Sequence, residues 1–154
     1  MAPEKVDFLK NKFIPLVRSI ELAVSPKWGK MGLQQMVEHL SESFRNANGK
    51  VSHPLHTSPE LVSKFKAFMM SDKLFKENTK SVMMGDEPPV IHNSSIIKAI
   101  EELELEVNDF FIAFELQPNR IIANPIFGDL NFNEWVQLLH KHVIHHLTQF
   151  GINT

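Results

Sequence analysis

The chain has no cysteine and no tyrosine. The first absence excludes disulfides, thiolate metal ligands and a cysteine nucleophile. The second removes tyrosine as an acid or a nucleophile. Long apolar runs are missing too: no window approaches the ~20 residues of a membrane span. The segment from Met1 to Lys12 carries charges at Glu4, Lys5, Asp7 and Lys10, with no apolar stretch of signal-peptide type. Basic runs are absent as well; lysines and acids are interspersed, and the formal net charge is −2. The expectation is a cytoplasmic protein with neither nucleic acid nor membrane as partner. What remains is ordinary soluble-domain composition, 43% hydrophobic and 22% charged. With 154 residues the chain fits one domain, spanning 1–154, that can bury its own core.

Five helical segments emerge from the apolar periodicity. The first opens at Ala2-Pro3-Glu4, with Val6, Leu9 and Phe13 at helical spacing. Pro15 should interrupt it, and a second piece carries Leu16, Val17 and Ile20 until Ser25-Pro26. Next comes an amphipathic helix through Leu33, Met36, Val37, Leu40 and Phe44, stopped near Asn48-Gly49. From Lys50 to Asn93 the pattern is irregular and proline-containing. It still holds one helix, announced by Ser58-Pro59-Glu60 and carrying Leu61, Phe65, Phe68 and Met69. This stretch reads as a long crossover rather than a linker, because it carries residues of buried type. The longest periodic stretch starts at Asn93-Ser94 and runs through Ile97, Ile100, Leu103, Val107, Phe110, Phe111 and Phe114 to Gln117-Pro118-Asn119. A loop from Ile121 to Asp129 leads to the last helix. That helix has a capping box at Asn131 and Glu134 and a C-terminal Gly151. No strand pattern is credible, so the fold class is all-α: a four-helix bundle with a long crossover containing a short extra helix. Long connections after the second and fourth helices allow parallel neighbours. The pairs Met69-Met70 and Met83-Met84 read as packing residues, and Trp28 and Trp135 as core anchors.

Two counts need explanation: 12 phenylalanines and 8 histidines, half of the histidines lying between His140 and His146. Unrolled at about 100° per residue, Leu139, His142, His146 and Phe150 fall within roughly 60° of Trp135. His142 and His146 therefore share the apolar stripe, while His140 lies on the flank and His145 at the opposite edge. At i and i+4 their Cβ atoms are about 5–6 Å apart, so both imidazoles can reach one ion at roughly 2.0–2.1 Å. A shared metal would satisfy two neutral imidazoles at once. The competing reading is one core histidine bonded to a carbonyl and one exposed to solvent. A third ligand has to come from another helix. His39 is the best candidate, although it sits on the shoulder of its stripe, about 120° from Leu33. His53, His56 and His92 lie in irregular segments and read as loop histidines.

Two runs resemble a known family. WGKMGLQQMVEHLSES, from Trp28 to Ser43, is similar to the second helix of the DinB/YfiT-like superfamily of metal-dependent proteins. NPIFGDLNFNEWVQLLHKHVIHHLTQFG, from Asn124 to Gly151, resembles its last helix with the pattern His-x-x-His-His-x-x-Gln. The two runs cover somewhat under a third of the chain, and the order and spacing of the helices match along all of it. The resemblance implies a bundle with a three-histidine metal site, carried here by His39, His142 and His146. Gln149 matches the family glutamine, and His145 matches a histidine of the pattern that is not a ligand. Leu147 and Thr148 stand where many members carry Arg-Gly, a departure that bears on any function resting on that arginine, anion or thiol-cofactor binding included. The resemblance also implies pairing as a homodimer.

Three histidines leave a divalent ion with an open position for water or substrate, the layout of a catalytic site. Such an ion lowers the pKa of a bound water or thiol. The resemblance implies a metal-dependent thiol S-transferase, of the kind that uses bacillithiol or mycothiol, or a hydrolase-like enzyme acting on a small-molecule substrate. The rival is non-catalytic: a bundle braced by a structural metal that binds a small molecule or a protein. Imidazole ligands suit Zn, Ni or Fe, a divalent transition metal in each case. No acid or base stands out. Glu38 and Glu42 flank His39 and either orient its ring or sit as solvated glutamates. There is no supported Ser/His/Asp arrangement and no phosphate-cradling glycine loop.

Overall fold

The computed structural model describes residues 3–78 and 87–154; Met83-Met84 lie outside them. The protein is mainly helical. Helix α1 (Pro3–Asp7) continues through a π-helical turn (Phe8–Lys12) into α2 (Phe13–Ser19). Then follow α3 (Leu33–Ala47), α4 (Pro59–Met70), α5 (Ile96–Leu116), a hairpin of β1 (Ile122–Asn124) and β2 (Gly128–Leu130), and α6 (Phe132–Gln149).

Pro15 does not break the first helix. Its missing N–H and its clash with the preceding turn are absorbed just upstream, where the Phe13 amide bonds the Phe8 carbonyl across five residues. The helix ends earlier than Ser25-Pro26, since Ile20 is already extended. Helix α3 begins where Gly32 donates its amide to the Gln35 side chain, and it stops at Gly49, which takes φ +86°. Ser95 caps α5 by accepting from the Lys98 amide. Asn131 and Glu134 form the expected capping box of α6, and Gly151, at φ +86°, terminates it.

The hairpin corrects the strand-free expectation. Ile122 pairs with Leu130, Ala123 with Asp129 and Asn124 with Gly128, antiparallel. Its turn is held locally: the Asn124 side chain accepts from the amides of Ile126 and Phe127, and Gly128 supplies φ +78°. Two buried side chains clasp it to the helices. Trp135 Nε1 donates to the Ile122 carbonyl at 3.1 Å, and Asn46 Nδ2 to the Ala123 carbonyl at 3.1 Å.

Phenylalanine builds much of the core that holds α3 and α6 in place. Phe44 of α3 stacks on Phe13 of α2 and meets Phe110 of α5 edge-on, both at 6.1 Å; Phe110 in turn stacks on Phe132 of α6 at 5.8 Å. Each of the fully buried rings of Phe13, Phe44 and Phe110 contributes on the order of 1.5–3 kcal/mol. Helix α3 packs along α5, and α6 touches α1, α2, α3 and α4. Trp135 and Met69 are fully buried as core residues, whereas Trp28 is half-buried and Met70 exposed. The apolar residues of α4 are less buried than their type suggests: Leu61, Phe65 and Phe68 are all partly exposed. Among the described residues no helix is long and apolar enough to cross a membrane.

Candidate metal centre

Helix α6 presents its buried stripe as the helical unrolling predicts. Trp135, Leu139, His146 and Phe150 are buried, and His142 keeps partial exposure. Helix α3, packed alongside, brings His39 to the same point from its shoulder position. His142 Nε2 lies 3.0 Å from His39 Nε2 and 3.0 Å from His146 Nε2. One nitrogen from each of the three rings falls within 4.8 Å of the others, and among the described residues this is the group arranged to hold a metal ion. His140 stands apart, edge-on to Phe8 at 5.2 Å. His92 sits half-exposed between Glu38 and Glu102, while His53 and His56 stay in the irregular segment after α3.

The proton inventory decides what these contacts mean. His146 Nδ1 is 2.8 Å from Gln149 Oε1, an acceptor, because Gln149 Nε2 donates to the Trp28 carbonyl at 2.9 Å. His146 Nδ1 must therefore carry the proton. His142 Nδ1 is 3.3 Å from Ser43 Oγ, and the same hydroxyl is 3.3 Å from the His39 carbonyl; with its hydrogen on that carbonyl, His142 Nδ1 carries the proton. In that arrangement the Nε2 atoms of His142 and His146 are left as lone pairs 3.0 Å apart, facing each other. A neutral imidazole has one donor and one acceptor nitrogen, so His142 Nε2 cannot satisfy two nitrogen neighbours by hydrogen bonding. A cation among the three nitrogens resolves the conflict. Ligand nitrogens at roughly 2.0–2.1 Å from one ion stand about 3.0–3.4 Å apart, and two of the three edges here match.

Electrostatics keep the rings neutral. Burial, then repulsion from His145, lowers the His39 pKa from 6.5 to about 4. Burial and the neighbouring His39 pull His146 down to about 3, against the bond to Gln149 that favours its charged form. His142 lies well below 6.5, through burial and then through His146, His39 and His145. Neutral rings with their lone pairs converging are what a divalent ion requires.

The supports of the cluster were only partly visible in sequence. Gln149 is buried and fixes the His146 tautomer, the usual partner of a metal-ligating histidine. The turn after Trp28 has to pass close to it: Gly29 takes φ +76°, and a Cβ there would meet Gln149 Nε2 at 3.3 Å. Glu38 orients no imidazole of the cluster. It is buried, and it accepts from the amides of His92 and Asn93, tying down the entry to α5; the bonds from Gln34, His92 and Asn93 hold its pKa below the usual 4.5 against the opposing effect of burial. Glu42 is exposed and pairs with Arg45. His145 stands beside the cluster, 5.1 Å from His146 and 5.3 Å from Trp28 between ring centroids.

Two cavities, of about 390 Å³ and 340 Å³, lie elsewhere. One is walled by Lys5, Met70 and Gln137, the other by Lys50, Ile112 and Arg120. Neither touches the three histidines. Compared with known proteins, the chain matches no family model, no curated protein and no solved structure.

Proposed function

We propose that the protein binds one divalent transition metal through the Nε2 atoms of His39, His142 and His146, and that it is a four-helix bundle of the DinB/YfiT-like kind, with the segment between α3 and α5 as its crossover. The observation that carries the metal is His142 Nε2 standing 3.0 Å from the Nε2 atoms of both His39 and His146, with the His146 Nδ1 proton already committed to Gln149. Support for the family reading comes from the two similar sequence runs and from the meeting of their histidines.

A divalent ion held by three neutral imidazoles supplies a Lewis acid that lowers the pKa of a thiol or a water taken at its open position. The protein's own residues prepare that position. Gln149 turns the His146 lone pair inward, Ser43 stands against His142 Nδ1, and His39 and His142 each keep partial exposure as residues. No carboxylate joins the cluster among the described residues, so a bound ion keeps its full positive charge and favours an anionic ligand such as a thiolate. We therefore read the activity as a metal-dependent thiol S-transferase with a small-molecule substrate. A hydrolase-like reaction would use the same open position for water. Consumption of small thiols with a panel of electrophiles tests it: turnover that depends on added metal and is abolished in His146→Ala is expected. Equal rates in wild type and variant would remove the transferase.

One observation favours the rival. Neither cavity of about 390 or 340 Å³ opens on the histidines, as a bundle with a structural metal and a binding role elsewhere would have it. Metal that binds tightly and leaves every thiol assay at the background rate would decide for this second reading.

A further inference from the structure

Helix α6 carries a second polar row beside the histidine stripe. Gln137, Lys141 and His145 recur every four residues and so share one face. All three reach the same piece of chain, the end of α4 and the residues after it. Gln137 Nε2 donates to the carbonyls of Met69 and Ser71, at 3.1 and 3.2 Å. Lys141 Nζ donates to the carbonyls of Phe68 and Ser71, at 3.0 and 2.9 Å, and to that of Lys73. His145 hydrogen-bonds the main chain of Phe75.

Lys141 is the unusual member. It is buried, with 3% of its surface exposed, and among the described residues no carboxylate lies within ion-pair distance, Asp72 attracting it from further off. Burying an ammonium without such a partner is costly. Here the carbonyls at the C-terminal end of α4 and the faces of Phe68 and Phe75, at 4.7 and 5.9 Å, take the place of a counter-ion. A simpler residue would do if the segment had only to be covered; three aimed donors fix its path.

That path ends on the candidate metal site. The Phe75 ring stands edge-on to His142 at 6.5 Å and 90°, and edge-on to His145 at 6.0 Å and 88°. It meets the ring of His142 from an element that supplies no ligand. We infer that Gln137, Lys141 and His145 are positioning residues that set Phe75 as an aromatic wall of the histidine site, so that the site prefers ligands carrying an aromatic or other apolar group next to the donor atom. This rests on the metal reading above and adds the class of ligand to it.

The test uses the full chain loaded with Co²⁺ and two neutral donors of one kind, imidazole and 4-phenylimidazole, titrated against the visible absorption of the ion. Wild type is expected to bind 4-phenylimidazole the more tightly. Phe75→Ala should lose roughly two- to tenfold of that preference, the contribution of one aromatic pair, and Phe75→Leu less. Lys141→Met should shift the ratio in the same direction. General damage to the fold or to the metal ligands lowers both affinities together and leaves the ratio alone. In the metal-free protein, the Phe75 ring proton signals, displaced by the two imidazoles, should move towards their free values in Lys141→Met. A Phe75→Ala ratio equal to that of wild type, or unmoved Phe75 signals in Lys141→Met, overturns the wall while the metal site stands. Failure of the wild type to bind Co²⁺ overturns the metal reading and the wall with it.

Discussion

Gln149 shows how much one side chain settles. Its Oε1 accepts from His146 and its Nε2 donates to the Trp28 carbonyl, so the amide cannot flip without breaking both bonds. Replacing it with leucine leaves the His146 proton without an acceptor in a buried place, and metal affinity should fall by about 10- to 100-fold. Gln149→Glu keeps the acceptor and should lose less; a chelator-competition titration distinguishes the two, and equal losses would argue against orientation through Oε1. At this scale the sequence is legible where spacing alone decides. His142 and His146 sit i and i+4 on an apolar stripe, and their convergence needs nothing beyond helical geometry. His39 needed the packing of α3 on α6, which no periodicity reveals. Lys141 was invisible for a different reason: in sequence it belongs to the polar flank of α6, where a lysine is ordinarily solvated. Glu38 misleads in the same way, since its neighbour in sequence is His39 but its partners are the amides of His92 and Asn93.

Among the elements, caps and breakers were read most faithfully, because they are local chemistry. The capping box of α6, the stop at Gly49 and the start at Pro59 all depend on residues within one turn. Two features escaped because they depend on contacts made elsewhere. The hairpin has strands of three residues, too short for an alternating pattern, and it is held by Trp135 of the following helix and by Asn46 of the distant α3. The π turn is a shift of register that Pro15 requires but does not locate. Helices α3 and α5 are further joined by a charge cluster. Glu106, with a 5% exposed side chain, receives Arg45 at 2.9 Å and Lys50 at 2.7 Å, and Asn48 Nδ2 at 3.1 Å. Removing it takes the buried acceptor from Arg45, Lys50 and Asn48, although Arg45 keeps Glu42 and Glu102 and Lys50 keeps Asp109, so Glu106→Ala should destabilise the protein by about 1–3 kcal/mol. Asp109→Ala, at the outer end of the same cluster, should cost under about 1 kcal/mol. Urea denaturation of the two variants checks the order, and equal effects would show that burial of the pair does not matter.

For the molecule as a whole, the three histidines couple folding to protons and to metal. His39 falls from 6.5 to about 4 and His146 to about 3 on folding, with His142 lowered as well. Unfolded imidazoles therefore bind protons that the native rings refuse. The linked stability is complete above about pH 6.5 and is lost as the pH falls from there towards 4 and 3. Metal-free protein should show a melting temperature that declines steeply between pH 6.5 and 4, and His146→Phe a shallower decline; a flat profile would mean that the rings are not buried neutral. Because the metal requires the same neutral rings, it should raise the melting temperature at neutral pH and lose that effect over the acid range. Most direct is the metal content of protein purified without a histidine tag, measured by elemental analysis beside a His142→Ala control. About one equivalent of a transition metal in wild type, falling below a tenth in the variant, is the expected result for one ion in a three-histidine site. Less than a tenth of an equivalent in wild type, unchanged by metal supplementation and by the substitution, would contradict it.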